Sequence, residues 1–296
     1  MKKISLSGAI TALVTPFKKD KSLDLEVLKR LVRFQIEGGI NGLAPCGTTG
    51  EGATLNYEEY GQVIRTVVRE VQGRIPVIAG AGSNDTQKAV HLAQIVKEAG
   101  ADGLLIVSPY YNKPTPNGLV EHYKTLGEAV DLPIILYNVP GRTGSNVLPQ
   151  TVLRIVKEVP QVIGVKEASG NITQIAEILK DAPKDFVLFS GDDSVTFASM
   201  VLGGKGGISV VANEAPKEFS ELCRLALNGE WAKAREINFR LLKLMRTNFI
   251  ETNPIPVKTA LSMMGRIEEN FRLPLCPLEE KNRPALEKAL KELNLI

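Results

Sequence analysis

Residues 134–166, IILYNVPGRTGSNVLPQTVLRIVKEVPQVIGVK, contain two short apolar runs separated by a stretch of helical period. The runs 134–137 and 162–166 are rich in β-branched residues, as buried strands are. Residues 149–158 between them space their apolar side chains like an amphipathic helix. Because near-continuous apolar strands that return through a helix need both sheet faces covered, this stretch predicts a parallel βαβ unit.

The same alternation extends from Gly8 to about Gly229. The predicted strands are 9–14, 42–45, 76–79, 103–107, 134–137, 162–166, 186–189 and 207–210. The predicted helices are 24–37, 56–72, 84–99, 117–130, 149–158, 172–181, 193–202 and 216–228. Repeated units of this kind close into an α/β fold, the (β/α)8 or TIM barrel. A doubly wound open sheet is the rival fold, but the first strand-to-helix turn lacks the GxGxxG fingerprint.

After Gly229 the alternation stops, and three helices without strands are predicted over residues 230–249, 256–264 and 278–293. We therefore expect a barrel catalytic domain over residues 1–229 and a C-terminal three-helix domain over residues 230–296. No flexible linker composition separates the two parts. This predicts a C-terminal helical appendage that packs on the barrel.

Composition excludes several classes of protein. The net charge of +3 comes from mixed charges without a basic block, so we expect no nucleic-acid partner. We also expect no membrane partner, because no uncharged stretch is long enough to cross a bilayer. Cys46, Cys223 and Cys276 are too scattered for a disulfide framework, and the first residues do not resemble a secretory signal, which together favour a cytoplasmic protein. With only two separated histidines, neither a bound metal nor a zinc-dependent aldolase is expected.

In a barrel the chemistry lies where the strands end, and Lys166 ends a predicted strand. Burial there would lower the pKa of its ammonium and favour the neutral amine, which attacks a ketone to give an imine. The plainer alternative is a lysine that reaches solvent from the strand end or pairs with Glu167. Tyr137 ends the preceding strand, so its phenol could exchange protons beside the amine, or it could be an aromatic filler with a hydrogen-bonded hydroxyl.

Two further segments are candidates for binding carboxylates. The turn from Gly47 to Gly50 offers backbone N–H groups and two hydroxyls, although an ordinary glycine turn has the same sequence. Arg142 can supply a bidentate fork, but a solvated loop arginine is the commoner case. Cys46 next to this turn is expected to be a small buried filler. The glycine run 203–207 precedes a strand, so we assign it to a helix end on the far face of the barrel and not to a phosphate site.

The motifs at the strand ends resemble those of the dihydrodipicolinate synthase family, in order and spacing over nearly the whole chain. The matching segments are Gly47-Thr48-Thr49-Gly50-Glu51, Pro109-Tyr110-Tyr111-Asn112, Leu136-Tyr137-Asn138-Val139-Pro140-Gly141-Arg142-Thr143, Gly164-Val165-Lys166-Glu167-Ala168, Ser190-Gly191-Asp192-Asp193 and Asn253-Pro254-Ile255-Pro256-Val257-Lys258. Each segment alone is weak or moderate evidence, and together they are specific.

The resemblance implies a metal-independent lyase without a cofactor, which condenses pyruvate with L-aspartate 4-semialdehyde in the diaminopimelate route to lysine. By this resemblance Lys166 forms the pyruvyl imine, and Tyr137 shuttles protons through Thr48 to a Tyr111 supplied by the neighbouring subunit. The pyruvate carboxylate would be held by Thr49. The remaining substrate-binding residues implied are Arg142 for the semialdehyde carboxylate and the backbones of Gly191 and Ile208. The implied assembly is a homotetramer, a dimer of dimers.

Sibling activities on this scaffold are N-acetylneuraminate lyase, 2-keto-3-deoxygluconate aldolase and hydroxy-oxoglutarate aldolase. The Arg142 position suits a short substrate with a carboxylate better than a sugar tail. A non-catalytic metabolite-binding barrel is the alternative of a different class. It would be expected to lack a member of the lysine, tyrosine and threonine set, and Lys166, Tyr137 and Thr48 are all present.

Feedback by lysine is a further property of sensitive family members, and the residues implied for it are only partly kept. Asn84 and Tyr110 match the implied lysine site, whereas Tyr57 and Tyr60 replace two histidines. Lys88 replaces the glutamate that would receive the ammonium of the ligand. We therefore expect weak or absent inhibition by lysine.

Overall fold

Eight parallel strands form one sheet in the computed structural model, which describes residue 4 and residues 6–296. The strands are β1 (Gly8–Thr11), β2 (Gly42–Leu43), β3 (Ile78–Gly80), β4 (Gly103–Val107), β5 (Ile134–Asn138), β6 (Val162–Glu167), β7 (Val187–Ser190) and β8 (Gly206–Ser209). Their order in the sheet is β2, β1, β8, β7, β6, β5, β4, β3. A parallel bridge between Leu43 and Val77 joins the two ends of this order, so the sheet closes into the predicted barrel.

Helices follow the strands and cover the outside of the barrel. The α-helices are α1 (Leu25–Glu37), α2 (Tyr57–Val71), α3 (Thr86–Glu98), α4 (Pro116–Ala129), α5 (Pro140–Thr143), α6 (Pro149–Glu158), α7 (Ile172–Asp181), α8 (Asp193–Val201), α9 (Pro216–Leu227), α10 (Trp231–Thr247), α11 (Ile255–Met263) and α12 (Arg283–Glu292). Short 3₁₀ turns are found at Gly52–Thr54, Val211–Asn213 and Glu280–Asn282. Among the described residues, no helix combines the length and the apolar composition that crossing a bilayer requires.

Local sequence explains where several helices begin. Asn56 and Glu59 form a reciprocal capping box at the start of α2, in which each side chain accepts a hydrogen bond from the other residue's backbone N–H. Thr115 caps α4, and Pro116 occupies the first turn, where its missing N–H leaves no helical hydrogen bond unmade. These signals determine the residues at which α2 and α4 begin, and thereby where the loops that precede them at the mouth of the barrel end.

The apolar core has two layers. Inside the barrel, the buried cluster includes Ile10, Ile78, Ile135, Phe189 and Ile208. A larger cluster fills the space between the outer face of the sheet and the surrounding helices. Strand residues alternate between these two layers, which is why the strands are apolar on both faces.

The glycine run 203–207 lies at the entrance to β8, on the face opposite the strand ends that carry the chemistry. Gly206 has φ +145, and a Cβ atom there would lie only 1.8 Å from the carbonyl oxygen of Gly8. A side chain would push β8 away from β1. The prediction that this run follows a helix end on the far face of the barrel is confirmed.

Residues 230–296 contain α10, α11 and α12, and α10 packs against α8 and α9 of the barrel. The prediction that the third of these helices begins at residue 278 was wrong, because the α-helix begins at Arg283 after a 3₁₀ turn. Pro284 explains the difference, since proline fits the first turn of a helix and not its interior. The division into two domains at residue 229 stays a prediction.

Candidate active site

Lys166 and Tyr137 are neighbours at the carboxyl ends of β6 and β5, where their Cα positions pair in register. The Lys166 Nζ atom lies 4.3 Å from the centre of the Tyr137 ring. Neighbouring parallel strands bring their ends to the same edge, so the sequence prediction that these two side chains meet is confirmed. The barrel mouth therefore holds an amine beside a phenol.

The Lys166 side chain is only 5% exposed. Burial lowers the pKa of its ammonium to about 8, an effect that Asp193 opposes and Arg142 reinforces. The Glu167 carboxylate takes part in other interactions, accepting hydrogen bonds from the Ser169 backbone N–H at 2.7 Å and from Asn138 and Gln174. A neutral amine at the end of β6 is therefore accessible close to neutral pH.

Gly191, at the end of β7, gives the Lys166 side chain room to cross the mouth. A Cβ atom at position 191 would lie 2.8 Å from Lys166 Cε and 2.7 Å from Ala168 Cβ. Any larger residue would displace the lysine. The family resemblance implies that the Gly191 backbone lines the pocket, and Gly191 lies in the wall of the cavity that contains Lys166. Its role in substrate binding stays a prediction.

Tyr137 is buried, and burial raises the pKa of its phenol to about 12, although Arg142 and a hydrogen bond with the Thr48 side chain act in the opposite direction. The phenol is thus protonated at neutral pH and linked to a second hydroxyl. Such a pair can accept a proton at one oxygen while it donates one from the other.

The turn from Gly47 to Glu51 follows β2 and places Thr48 and Thr49 at the mouth. Thr49 is buried, and its Oγ1 accepts a hydrogen bond from Asn253 Nδ2 at 3.0 Å. The backbone oxygen of Asn253 accepts another from the Arg142 guanidinium at 3.1 Å. Asn253 therefore links the two segments proposed for carboxylate binding, a role that its sequence motif did not reveal.

Two adjoining cavities open at this end of the barrel. The one that contains Lys166 has a volume of about 340 Å³, and its lining includes Thr48, Thr49, Tyr137, Arg142 and Gly191. A larger cavity of about 630 Å³ shares Thr48, Tyr137, Arg142 and Asn253 but has no lining from Lys166, and it extends to residues of α2 and α3. The smaller cavity is the candidate reaction site because it holds the amine.

Tyr111 and Ile208 are not brought into either cavity lining of the described chain. Tyr111 is 88% exposed and has a left-handed backbone with φ +71. Ile208 is buried in the barrel interior beside β1. Their roles in catalysis and in substrate binding stay predictions.

Asp193 is a buried charged residue that acts electrostatically on Lys166, and no role was assigned to it from the sequence. It begins α8, is buried, and accepts hydrogen bonds from the backbone N–H groups of Val210 at 3.1 Å and Val211 at 2.7 Å. Burial raises the pKa of its carboxyl to about 6. Only its place in the Ser190-Gly191-Asp192-Asp193 motif could have drawn attention to it.

Cys46 lines the larger cavity, but burial raises the pKa of its thiol far above the ordinary value, which makes a reactive thiolate unfavourable. The prediction of a buried filler is confirmed. Within residues 4 and 6–296, no cluster of three or more histidine, cysteine, aspartate or glutamate side chains has an arrangement suited to a metal ion.

A closed parallel barrel with a desolvated lysine amine and a phenol at its mouth defines the class of barrel enzymes built for imine chemistry. The sequence of residues 5–293 matches the family model of the dihydrodipicolinate synthetase family. The chain belongs to this family.

Individual relatives agree with the family match. The 4-hydroxy-tetrahydrodipicolinate synthase of Maridesulfovibrio salexigens is 52% identical, over 99% of this chain and 100% of that protein. Dihydrodipicolinate synthase from Thermotoga maritima has a TM-score of 0.96 and 49% identity, over 98% of this chain and 99% of that one. The chloride-inhibited dihydrodipicolinate synthase of Acinetobacter baumannii, complexed with pyruvate, has a TM-score of 0.97 and 44% identity, over 99% and 100% of the two chains.

These findings confirm the family resemblance of the motifs. The chain is an enzyme of the 4-hydroxy-tetrahydrodipicolinate synthase kind, and it carries out the condensation that this family contributes to lysine biosynthesis. Pyruvate is a substrate of the family. The relatives give no support to the sibling aldolase activities or to a non-catalytic barrel.

Proposed function

We propose that the chain joins pyruvate to L-aspartate 4-semialdehyde through an imine on Lys166, giving 4-hydroxy-tetrahydrodipicolinate. The observation that carries this proposal is the buried Lys166 amine, with a pKa lowered to about 8, next to the Tyr137 phenol at the strand ends. A neutral amine is needed to attack a ketone, and a protonated phenol is needed to help its oxygen leave as water.

The first half of the reaction forms the imine. The turn at Thr48 and Thr49 binds the pyruvate carboxylate through its hydroxyl and backbone N–H groups, which fixes the ketone carbon near Lys166 Nζ. Nζ attacks that carbon, and Tyr137, linked through Thr48 to Tyr111, relays the two protons lost by the amine to the ketone oxygen, which departs as water. The carbon–oxygen double bond is thereby replaced by a carbon–nitrogen double bond.

The second half forms the carbon–carbon bond. A proton leaves the pyruvyl methyl group for the hydroxyl relay of Tyr137, which gives an enamine. The enamine carbon attacks the aldehyde carbon of the semialdehyde while Arg142 holds the semialdehyde carboxylate, and the aldehyde oxygen takes up a proton to become the hydroxyl of the product. The semialdehyde's own amino group then displaces Lys166 at the former ketone carbon and closes the ring. The complete reaction releases one water and returns the free lysine. The backbones of Gly191 and Ile208 line the site.

The proposed assembly is a homotetramer made of two dimers in the cytoplasm. The exposed position of Tyr111 supports it, since a tyrosine that is 88% exposed in one chain is available to the site of a neighbour. No nucleic-acid, membrane, metal or cofactor partner is part of the proposed function.

Reduction with borohydride tests the imine. With pyruvate present, hydride should fix a three-carbon adduct on Lys166 and inactivate the enzyme. Lys166→Ala should take up no adduct at this position, whereas the control Lys205→Ala should be labelled normally, because Lys205 lies at the opposite end of the barrel. An adduct that maps to another lysine would refute the assignment.

Substrate identity is tested by comparison of activities. Consumption of L-aspartate 4-semialdehyde should require pyruvate and should greatly exceed cleavage of sialic acid or 2-keto-3-deoxygluconate by the same preparation. Faster cleavage of either sugar acid would contradict the proposed substrate.

A further inference from the structure

The turn from Gly47 to Glu51 has a backbone that local sequence alone does not stabilise. Glu51 has φ +50, in the left-handed region, although it is not a glycine. Two hydrogen bonds close the turn, from Glu51 N to Thr48 O and from Gly52 N to Gly47 O, each 3.1 Å. A non-glycine residue keeps such a conformation when surrounding contacts fix it.

The strongest of those contacts comes from the other end of the chain. Lys258 Nζ lies 2.5 Å from Glu51 Oε1, and both side chains are buried, at 0% and 1% exposure. Lys258 also donates to the Asn270 carbonyl at 2.6 Å, and its ammonium lies 4.4 Å from the ring centre of Phe17. The ion pair is thus sealed from water and joins α11 to the turn.

Asn253, just before α11, supplies a second attachment to the same turn. Its side-chain amide donates to Thr49 Oγ1, and its backbone oxygen holds Arg142. The C-terminal segment therefore contacts the turn at two points. Asn253 binds Thr49, and Lys258 binds Glu51. Lys258 is not part of either cavity lining at the mouth, so its effect on substrate must pass through the turn.

We propose that Lys258 and Glu51 are positioning residues for pyruvate: their buried ion pair holds the Thr48-Thr49 turn in the conformation that binds the pyruvate carboxylate. The C-terminal helices are then part of the substrate-binding apparatus. This inference rests on the proposed function, because it requires that the turn binds that carboxylate.

A purely structural role is the competing explanation, and the two roles separate in a double variant. Removing one member of a buried ion pair leaves the other charge uncompensated and destabilises the fold, whereas replacing both by apolar residues of similar size is often neutral. Glu51→Met combined with Lys258→Met should therefore fold, yet leave the turn without its attachment. Glu51→Gln is a second variant that keeps the shape and a hydrogen bond to Lys258 but leaves the lysine charge unpaired, so denaturant unfolding is used first to show that it is folded.

The measurement compares two ketones that differ only in the carboxylate. Borohydride trapping on Lys166 is recorded against the concentration of pyruvate and of its neutral amide, pyruvamide. In the double variant, half-maximal trapping should need roughly 10- to 100-fold more pyruvate, the usual effect of losing hydrogen bonds to a charged group, while the pyruvamide curve stays unchanged. Glu51→Gln should show a smaller shift of the same kind.

The control is Lys243→Met with Glu292→Met, which removes an exposed ion pair between α10 and α12 and should change neither curve. The positioning role is wrong if a folded double variant reaches half-maximal trapping at the normal pyruvate concentration. It is also wrong if the concentrations of pyruvate and pyruvamide needed for half-maximal trapping rise by the same factor. Failure of the unmodified enzyme to trap pyruvate on Lys166 would instead refute the proposed function itself.

Discussion

Lys166 shares the barrel mouth with two charged residues that act on its amine in opposite directions. Asp193 favours the ammonium and Arg142 disfavours it, while burial brings the pKa down to about 8. Because the neutral amine is the nucleophile, the rate of imine formation should rise with pH up to about 8 and then level off.

Asp193→Asn should move that rise to lower pH, because it removes a negative charge that stabilises the ammonium. The effect should be present above about pH 6, where Asp193 is ionised, since burial raises the pKa of its carboxyl to about 6. The rate of imine formation with pyruvate, measured against pH, checks the shift. Asp185→Asn, at an exposed position before β7 at the opposite end of the barrel, is the control and should leave the profile unchanged. An unchanged or upward-shifted profile in Asp193→Asn would contradict the prediction.

Arg142 lies at the exposed side of the mouth, where its guanidinium donates to the Asn253 carbonyl. Arg142→Ala should weaken use of the semialdehyde by about 1.5 to 3 kcal/mol, the worth of a hydrogen bond to a charged group. Imine formation with pyruvate should stay nearly intact when it is measured well above pH 8, where the Lys166 amine is neutral with or without the Arg142 charge. Steady-state kinetics with each substrate varied measures both effects. Arg142→Lys keeps the charge but not the bidentate guanidinium, so its use of the semialdehyde should lie between that of the unmodified enzyme and that of Arg142→Ala. Equal loss for both substrates would rule out the role.

At the scale of single residues, the sequence predicted the side chains that sit at strand ends, because parallel strands place those ends together. Lys166 and Tyr137 follow this rule. Asn253 and Lys258 do not, since their partners Thr49 and Glu51 lie 204 and 207 positions away in the sequence. No local pattern reports a contact between an appended helix and a turn near the start of the chain.

At the scale of elements, Glu167 ties the ends of β5 and β6 to α7. Its buried carboxylate accepts hydrogen bonds from Asn138 Nδ2 at 2.9 Å, Ser169 N at 2.7 Å and Gln174 Nε2 at 3.0 Å. This network holds the backbone on either side of Lys166 and Tyr137. It therefore links the packing of a helix to the geometry of the site.

Glu167→Ala should lower the free energy of unfolding by roughly 2 to 5 kcal/mol, because it leaves several buried donors without an acceptor. Denaturant unfolding followed by circular dichroism measures the change. Glu177→Ala on the exposed face of α7 is the control and should change stability by less than about 0.5 kcal/mol. Similar stabilities for the two variants would argue against the network.

The period of the apolar residues predicted the long helices and all eight strands, since each buries a regular face. It did not predict α5, whose four residues Pro140–Thr143 are too few to show a period. It also placed the start of α12 too early. Leu278 is buried like the core-facing residues of a helix, but it lies in a loop before α12. Short elements and loops that bury apolar residues are determined by packing and leave little local signal.

At the scale of the whole molecule, the number of βα units predicts closure of the barrel. The oligomeric assembly is inferred instead from residues that are exposed on the surface of the single chain. Tyr111 is the informative residue because it is exposed in one chain and is proposed to complete the site of another. Such a shared site makes activity a property of the dimer.

Mixing Tyr111→Phe with Lys166→Ala subunits should therefore restore activity. A hybrid dimer contains one site with both an intact Lys166 and an intact Tyr111, so an equimolar mixture that exchanges freely should regain roughly a quarter of the unmodified sites. Activity before and after exchange, with subunit exchange verified by mass spectrometry, measures the effect. No recovery in subunits that exchange would place Tyr111 outside the shared site.

Regulation by lysine is the remaining property of the assembled molecule. Lys88 is exposed on α3 and lines the larger cavity together with Tyr57 and Tyr110. Tyr60 is buried in the wall of that cavity, where its hydroxyl donates to the Gly80 carbonyl at 2.5 Å. Of the positions implied for lysine binding, one thus carries a positive charge and another has its hydroxyl engaged within the fold.

We expect millimolar L-lysine to leave the rate nearly unchanged, because the Lys88 ammonium at the edge of the larger cavity repels the side-chain ammonium of the ligand where a carboxylate would attract it. Lys88→Glu reverses that charge and should introduce inhibition, whereas Lys88→Gln should do so only weakly. Initial rates at saturating pyruvate, recorded against L-lysine concentration with D-lysine as the control ligand, measure the effect. Inhibition of the unmodified enzyme by more than half would show that Lys88 swings into solvent and leaves a usable site.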